Sequence, residues 1–299
     1  MSKKVLIFGS NGLLGQKLAF IFGQSEYYKV LLSSKHSNSQ NQNFDYRICD
    51  VTLKNEVEKI ISDFSPDVVI NAAAMTDVDG CEIHKEEAWK SNVIAVENIV
   101  SLVKNSIHVI HFSTDYVFDG KSGPYIETAT PNPISYYGKT KLASENILFG
   151  SKKIYTILRT IVLFGTAKNV KQNFALWVFN SLKENKQIRV VNDQFANPTF
   201  VNDLAFAALQ SVEKEREGLF NIGGREILSR FDFACRIAKI FSLDSKLIFP
   251  ISTMELKQVA NRPLNSGLIT LKAEVELNFH PSTLNNSLET FKHQIKNYA

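Results

Sequence analysis

The sequence predicts an α/β fold, a doubly wound parallel sheet with a smaller C-terminal lobe, and three observations predict it. Apolar strand-like runs alternate with amphipathic helical segments, the pattern of successive βαβ units. A glycine-spaced turn, "GSNGLLG", closes the first run and opens the first helix. After residue 150 the alternation persists, but longer helices and loops are inserted into it. Hydrophobic residues make up 44% of the chain and charged residues 21%, which suits a globular protein and excludes a disordered or fibrous one.

The elements follow in order. "KVLIFG" reads as the first strand and "LLGQKLAFIFG" as the helix that returns over it. "KVLLS" is a second strand, "VTLKNEVEKIISDF" an amphipathic helix and "DVVINAAA" a buried strand. A helical segment is expected near Glu86 to Lys104, followed by a strand at "HVIHFST". "YTILRTIVLFG" and "GLFNIGG" continue the sheet, while "NSQNQN" at 38–43 is a polar surface loop.

Several classes are set aside by composition. The net charge of +4 is small and dispersed, with no basic block to bind nucleic acid. The apolar run in "MSKKVLIFGSNG" is too short for a signal peptide, and no stretch reaches the roughly 18 apolar residues of a membrane span. A cytoplasmic chain with no membrane partner is therefore expected. Cys49, Cys81 and Cys235 are odd in number and far apart, which argues against a disulfide framework. His108 and His111 lie three apart in a strand and point to opposite faces, and Cys81 with His84 has no second pair, so no metal site is expected.

Gly9, Gly12 and Gly15 follow a strand and open a helix. That context suits a dinucleotide: a tight turn, close approach of backbone to a pyrophosphate, and phosphates at a helix N-terminus. Asn11, Leu13 and Leu14 complete the same cradle. At the end of the second strand, where NAD enzymes place a carboxylate, the chain reads "SSKH". Ser34 and Lys35 are expected to receive a 2′-phosphate there, which favours NADPH while still admitting NADH. Asp50 and Val51 are expected at the adenine edge, with a helix N-cap as the bland alternative for Asp50. Ala72, Ala73 and Ala74 form a small-residue ledge for the cofactor, or simply pack helix against sheet. The expected organisation is a dinucleotide-binding domain over 1–165 with a return near 199–223, and a substrate-binding lobe from 166–198 and 224–299.

"SYYGKTK" at 135–141 presents two tyrosines. On a helix Tyr137 and Lys141 stack on one face, whereas Tyr136 could meet Lys139. A phenol titrates near pH 10 and needs a neighbouring cation to take part in proton transfer at neutral pH.

Together, the glycine pattern, "INAAA" at 70–74, "FSTDYVFDG" at 112–120 and "YGKTKLASE" at 137–145 resemble the extended short-chain dehydrogenase/reductases. Within that group they most resemble the dTDP-4-dehydrorhamnose reductase family, a likeness that extends to "DQFANPTFVNDLA" at 193–205 and "NRPLNSGL" at 261–268. The resemblance implies a Rossmann fold and hydride transfer to the C4 ketone of a nucleotide-diphosphate-linked 4-keto-6-deoxy sugar. It implies Tyr137 as the proton donor with Lys141 lowering its pKa, Thr114 as the hydroxyl facing the developing oxyanion, and a homodimer as a compatible assembly. Asp115 and Tyr116 would face the sugar, and Arg262 would meet the nucleotide diphosphate or else form a surface ion pair. Val162 stands where the related reductases carry a tryptophan that lines the sugar pocket. Two alternatives share the resemblance: a non-catalytic NADP-binding subunit like the methionine adenosyltransferase beta subunit, and a nucleotide-sugar epimerase or dehydratase. The intact Thr114, Tyr137 and Lys141 favour catalysis, and the missing acid after the second strand argues against tightly retained NAD.

Overall fold

A computed structural model describes residues 2–298; the expected domain ends at Met1 and Ala299 lie outside the described residues. Seven strands, β1 (Lys3–Phe8), β2 (Tyr28–Ser34), β3 (Asp45–Ile48), β4 (Val68–Asn71), β5 (His108–Thr114), β6 (Ile154–Thr160) and β7 (Gly218–Ile222), build one sheet. Their order is β7-β6-β5-β4-β1-β2-β3, and every neighbouring pair is parallel. All seven residues of β5 and all four of β4 are buried, so neither strand alternates between a buried and an exposed face.

The helices are α1 (Leu13–Phe22), α2 (Lys54–Phe64), α3 (Val78–Ile83), α4 (Lys85–Trp89), α5 (Ala95–Leu102), α6 (Tyr136–Phe149), α7 (Phe174–Lys183), α8 (Val201–Glu213) and α9 (Arg230–Phe241), with shorter or later segments beyond them. One sheet face is covered by α1 and α8 around Leu18, Phe22, Leu204 and Phe220. The other is covered by α2, α5 and the Leu148 turn of α6. A third core, around Phe164, Val178, Phe233 and Phe291, joins α7 and α9 away from the sheet.

The single helix expected near 86–104 is broken. Residues Lys90–Ile94 form a π-helical turn between α4 and α5. Its Asn92 side chain accepts from the Met75 amide at 2.8 Å and donates to the Met75 carbonyl and to Thr140 Oγ1, both at 3.0 Å. The extra residue of the π turn thus turns a buried amide toward two other segments.

A buried ion pair fixes α6 to the sheet. Arg159 of β6 meets Glu145 in a bidentate contact, Nε to Oε1 at 2.9 Å and Nη2 to Oε2 at 2.6 Å, beneath the Phe118 ring 5.0 Å away. Removing one partner strands the other charge in the interior. Glu145→Ala is therefore expected to cost about 3–5 kcal/mol in urea unfolding. The paired change Glu145→Leu with Arg159→Met should recover most of that loss.

Candidate active site

The parallel register brings several strand ends to one edge. Phe8 stands beside Asn71, Asn71 beside His111, and Thr114 beside Thr160. Between β1 and β4 the strand order reverses, the position at which open α/β sheets form a ligand crevice. Gly9 and Ala72 to Ala74 follow directly on these two ends.

The three glycines do different work. Gly9 has φ +73°, and a Cβ there would stand 2.5 Å from the Ala73 nitrogen. At Gly15 a Cβ would stand 2.2 Å from the Gly9 carbonyl oxygen, so α1 packs hard against the turn. Gly12 instead has ordinary extended backbone, φ −73° and ψ 169°, and an added Cβ would meet only the Gly9 oxygen at 3.4 Å. Its missing side chain leaves room rather than relieving a clash. Gly12 is also the N-cap of α1 and supplies no side-chain cap to the first-turn amides at Leu13, Leu14 and Gly15. Uncapped donors at the positive end of a helix dipole, beside open space, fit a pyrophosphate.

The remaining cofactor candidates divide. Asn11 donates to Ser34 Oγ at 3.0 Å and to the Asn38 carbonyl at 2.8 Å, and its Oδ1 accepts from Gln40 N at 3.0 Å. Ser34 Oγ also accepts from the His36 amide at 3.2 Å and lies 2.7 Å from the Tyr46 hydroxyl. Both side chains thus staple the 36–40 loop, while Lys35 is exposed beside them. Asp50 Oδ1 accepts from the Thr52 amide and hydroxyl at 2.9 and 2.8 Å, closing the turn before α2; the N-cap itself is Leu53. Val51 is buried in the core under α2.

Helix α6 sends the two tyrosines to different surroundings. Ser135 caps it by accepting from the Gly138 amide at 3.2 Å. Tyr136 lies against α3 and α4: its amide donates to Glu82 Oε1, and Lys85 Nζ sits 5.4 Å from its ring centroid, with Lys139 exposed. Tyr137 and Lys141 are the inward pair, both buried. The Tyr137 ring meets Tyr116 edge-on at 5.6 Å. Burial, and then the Asp115 carboxylate, raises the Tyr137 phenol above its ordinary value against a hydrogen bond with Thr114. Burial lowers Lys141 to about 8 while Glu145 pulls it back up. Burial outweighs the expected lowering of Tyr137 by Lys141, whose ammonium meets His111 Nε2 at 3.2 Å. Burial, then Lys141 itself, keeps the His111 imidazole neutral.

Thr114 and Asp115 stand beside this pair. Thr114 Oγ1 donates to Asp115 Oδ1 at 3.0 Å and accepts from the Tyr116 amide at 3.2 Å. Arg262 pairs with Asp79 beside Tyr116: its Nη1 and Nη2 donate to the two Asp79 oxygens at 3.0 and 2.9 Å, an ion pair of the kind that was one of its two expected readings. Val162, just beyond β6, has φ +45° and packs on the edges of two cores. A β-branched residue in that region is strained by about 1–3 kcal/mol. Arg230 was not anticipated from the sequence. It opens α9, stacks 5.2 Å from Phe174, and couples electrostatically to Tyr116, Asp115 and Arg262. A cation at a helix N-terminus opposes the dipole, and that local mismatch was the available signal.

A family model described as RmlD substrate binding domain matches residues 3–297. A dTDP-4-dehydrorhamnose reductase from Aggregatibacter actinomycetemcomitans is 32% identical, covering 97% of this chain and 98% of its own. Methionine adenosyltransferase 2 subunit beta from Xenopus tropicalis is 31% identical over 91% of this chain and 82% of its own. Among solved structures, a dTDP-4-dehydrorhamnose reductase from Bacillus anthracis in complex with NADP superposes with a TM-score of 0.89 at 27% identity, covering 98% of this chain and 100% of the other.

The glycines are separable by experiment. Gly12→Ala is expected to leave thermal unfolding unchanged yet weaken NADPH binding, followed by fluorescence, by about tenfold or more, a loss of roughly 1.4 kcal/mol. Gly15→Ala should instead destabilise the fold by about 1–3 kcal/mol through overpacking. Matched binding curves for the wild type and Gly12→Ala would overturn the assignment.

Proposed function

The chain belongs to the RmlD substrate binding domain family, and from that premise we propose that it uses NADPH to reduce the C4 ketone of a nucleotide-linked 4-keto-6-deoxy sugar. The reading places it beside the dTDP-4-dehydrorhamnose reductases. One observation carries it: Thr114, Tyr137 and the buried Lys141 gather at the carboxyl edge of the sheet, next to a glycine turn with room for a pyrophosphate.

When bound, the dinucleotide supplies the hydride. The chain's own residues manage the oxygen. As C4 gains hydride its oxygen becomes an alkoxide, far more basic than a phenol. Tyr137, held protonated by burial, gives its proton to that oxygen; its O–H bond breaks as the new one forms. The Tyr137 phenolate left behind lies one helical turn from the Lys141 ammonium. Thr114 would hydrogen-bond the same oxygen as its charge develops. Lys35, exposed past the end of β2 where no carboxylate stands, would meet the 2′-phosphate. Val162, Tyr116 and Arg230 would border the sugar and its diphosphate. A purely regulatory NADP-binding subunit has no use for a proton donor, and the retained trio weighs against that reading.

Absorbance at the reduced nicotinamide band, followed with NADPH and a panel of dTDP-, GDP- and CDP-linked 4-keto-6-deoxy sugars, tests the proposal. Oxidation with at least one sugar is expected, and silence with all of them would favour the partner-subunit reading. With an active sugar, Tyr137→Phe should keep NADPH binding but lower turnover by about two to four powers of ten. Tyr136→Phe should do far less.

Val162→Trp would restore the indole of the related reductases. It is expected to change the ratio of kcat/KM between two 4-keto sugars, on the order of 10 to 200-fold at most, with NADPH affinity nearly constant. Unaltered ratios in a variant with a normal melting curve would remove Val162 from the pocket.

A further inference from the structure

Asp115 sits directly behind Thr114 in the turn that ends β5, with only 3% of its surface exposed. Both carboxyl oxygens are engaged. Oδ1 accepts from Thr114 Oγ1 at 3.0 Å, and Oδ2 accepts from the buried Ser266 hydroxyl at 2.7 Å. A threonine hydroxyl owns one proton. While Asp115 is ionised, that proton points at Oδ1, and Thr114 has only lone pairs to offer elsewhere. A ketone oxygen also has only lone pairs, so the two repel rather than bond.

We infer that Asp115 is a positioning residue that sets the direction of the Thr114 proton: with a proton on Oδ1, Asp115 donates to Thr114 Oγ1 and releases the threonine hydrogen to the substrate oxygen. This rests on the reductase reading and deepens it, and it replaces the expected contact of Asp115 with the sugar by an action through Thr114. The groups around the carboxyl make the protonated form accessible. Tyr116 shares its turn, Tyr137 faces it from α6, Arg230 faces it from α9, and Arg262, paired to Asp79, lies beyond Tyr116. Burial raises the Asp115 carboxyl to about 6 against the opposing pull of Ser266, Thr114 and Arg230. The sign follows: the competent form is the protonated one, so reduction is fastest below that value and falls as pH rises through it. Each further pH unit should cost about tenfold in kcat/KM if only the protonated form reacts.

The test pairs a pH profile of kcat/KM for NADPH oxidation with a ¹³C-carboxyl titration of the same protein. For wild type, a limb that falls near pH 6 and a carboxyl that titrates with it are expected. In Asp115→Asn the side-chain amide donates to Thr114 at every pH, so the limb should vanish and activity at pH 8 should equal or exceed that of wild type. In Ser266→Ala a donor to the carboxylate is lost, so limb and titration should both move upward while NADPH affinity holds. A limb that persists in Asp115→Asn, a uniform loss across pH in that variant, or an Asp115 midpoint near the ordinary value of about 4 would overturn the inference. So would an unmoved limb in folded Ser266→Ala. Wild type that turns over no sugar at any pH overturns the reductase reading, and this inference with it; turnover without the limb overturns this inference alone.

Discussion

Helix α6 turns two of its charged residues, Lys141 and Glu145, toward the sheet, and what happens at the crevice depends on how those charges are held. Tyr137, Lys141 and Glu145 recur every four residues and so form a column along one helix face. At its inner end Glu145 is locked to Arg159 of β6. At its outer end stands a phenol, and between them a buried ammonium. An isolated ammonium in such a place would cost several kcal/mol and would tend to lose its proton. Here the field of Glu145 and the neutral His111 ring compensate, leaving Lys141 near 8: charged at neutral pH, yet within reach of discharge. The ion pair at the base is therefore structural in position and electrostatic in effect, because the charge of the middle residue depends on the one below it.

Much of this arrangement was legible in the sequence. Alternating runs and the GxxGxxG turn marked the parallel sheet and the turn at its carboxyl edge, because strands and helices alternate in βαβ units and the turn needs glycine for close approach. The four-residue step from Tyr137 to Lys141 selected the correct face of α6, since helical geometry is local. What escaped was set by distant partners. For Arg262 an ion pair was one of two readings, but that its partner is Asp79, 183 positions away in the chain, is announced by no local pattern. The partners Ser34 holds, Asn11 and Tyr46, come from other segments and leave no mark in its local sequence. The π turn at Lys90–Ile94 was invisible because residues 85–102 keep an amphipathic pattern, and the break exists for the sake of Asn92 and its tertiary contacts. Val162 is the sharpest case, since local preference steers a β-branched residue away from positive φ and only surrounding packing holds it there.

Asp115 and Arg230 share a lesson about chemistry rather than fold. Each is a charged side chain inside the protein whose partners come from three different elements. Sequence motifs can mark where such groups begin, as "STDYVF" marks Asp115, but not which of their atoms remain free. For Asp115 the accounting of donors and acceptors, oxygen by oxygen, is what supports its proposed part as director of a neighbour's hydrogen.

The Asn92 amide has a dynamic consequence. It grips both backbone groups of Met75, which follows the Ala72 to Ala74 ledge, and at the same time Thr140, between Tyr137 and Lys141 on α6. The ledge on one wall of the crevice and the helix on the other are thus joined through a single buried side chain. Neither wall can loosen without breaking hydrogen bonds that the interior cannot replace, so the two belong to one cooperative opening unit. Solvent exchange of the Met75 amide proton then reports on the breathing of the whole crevice.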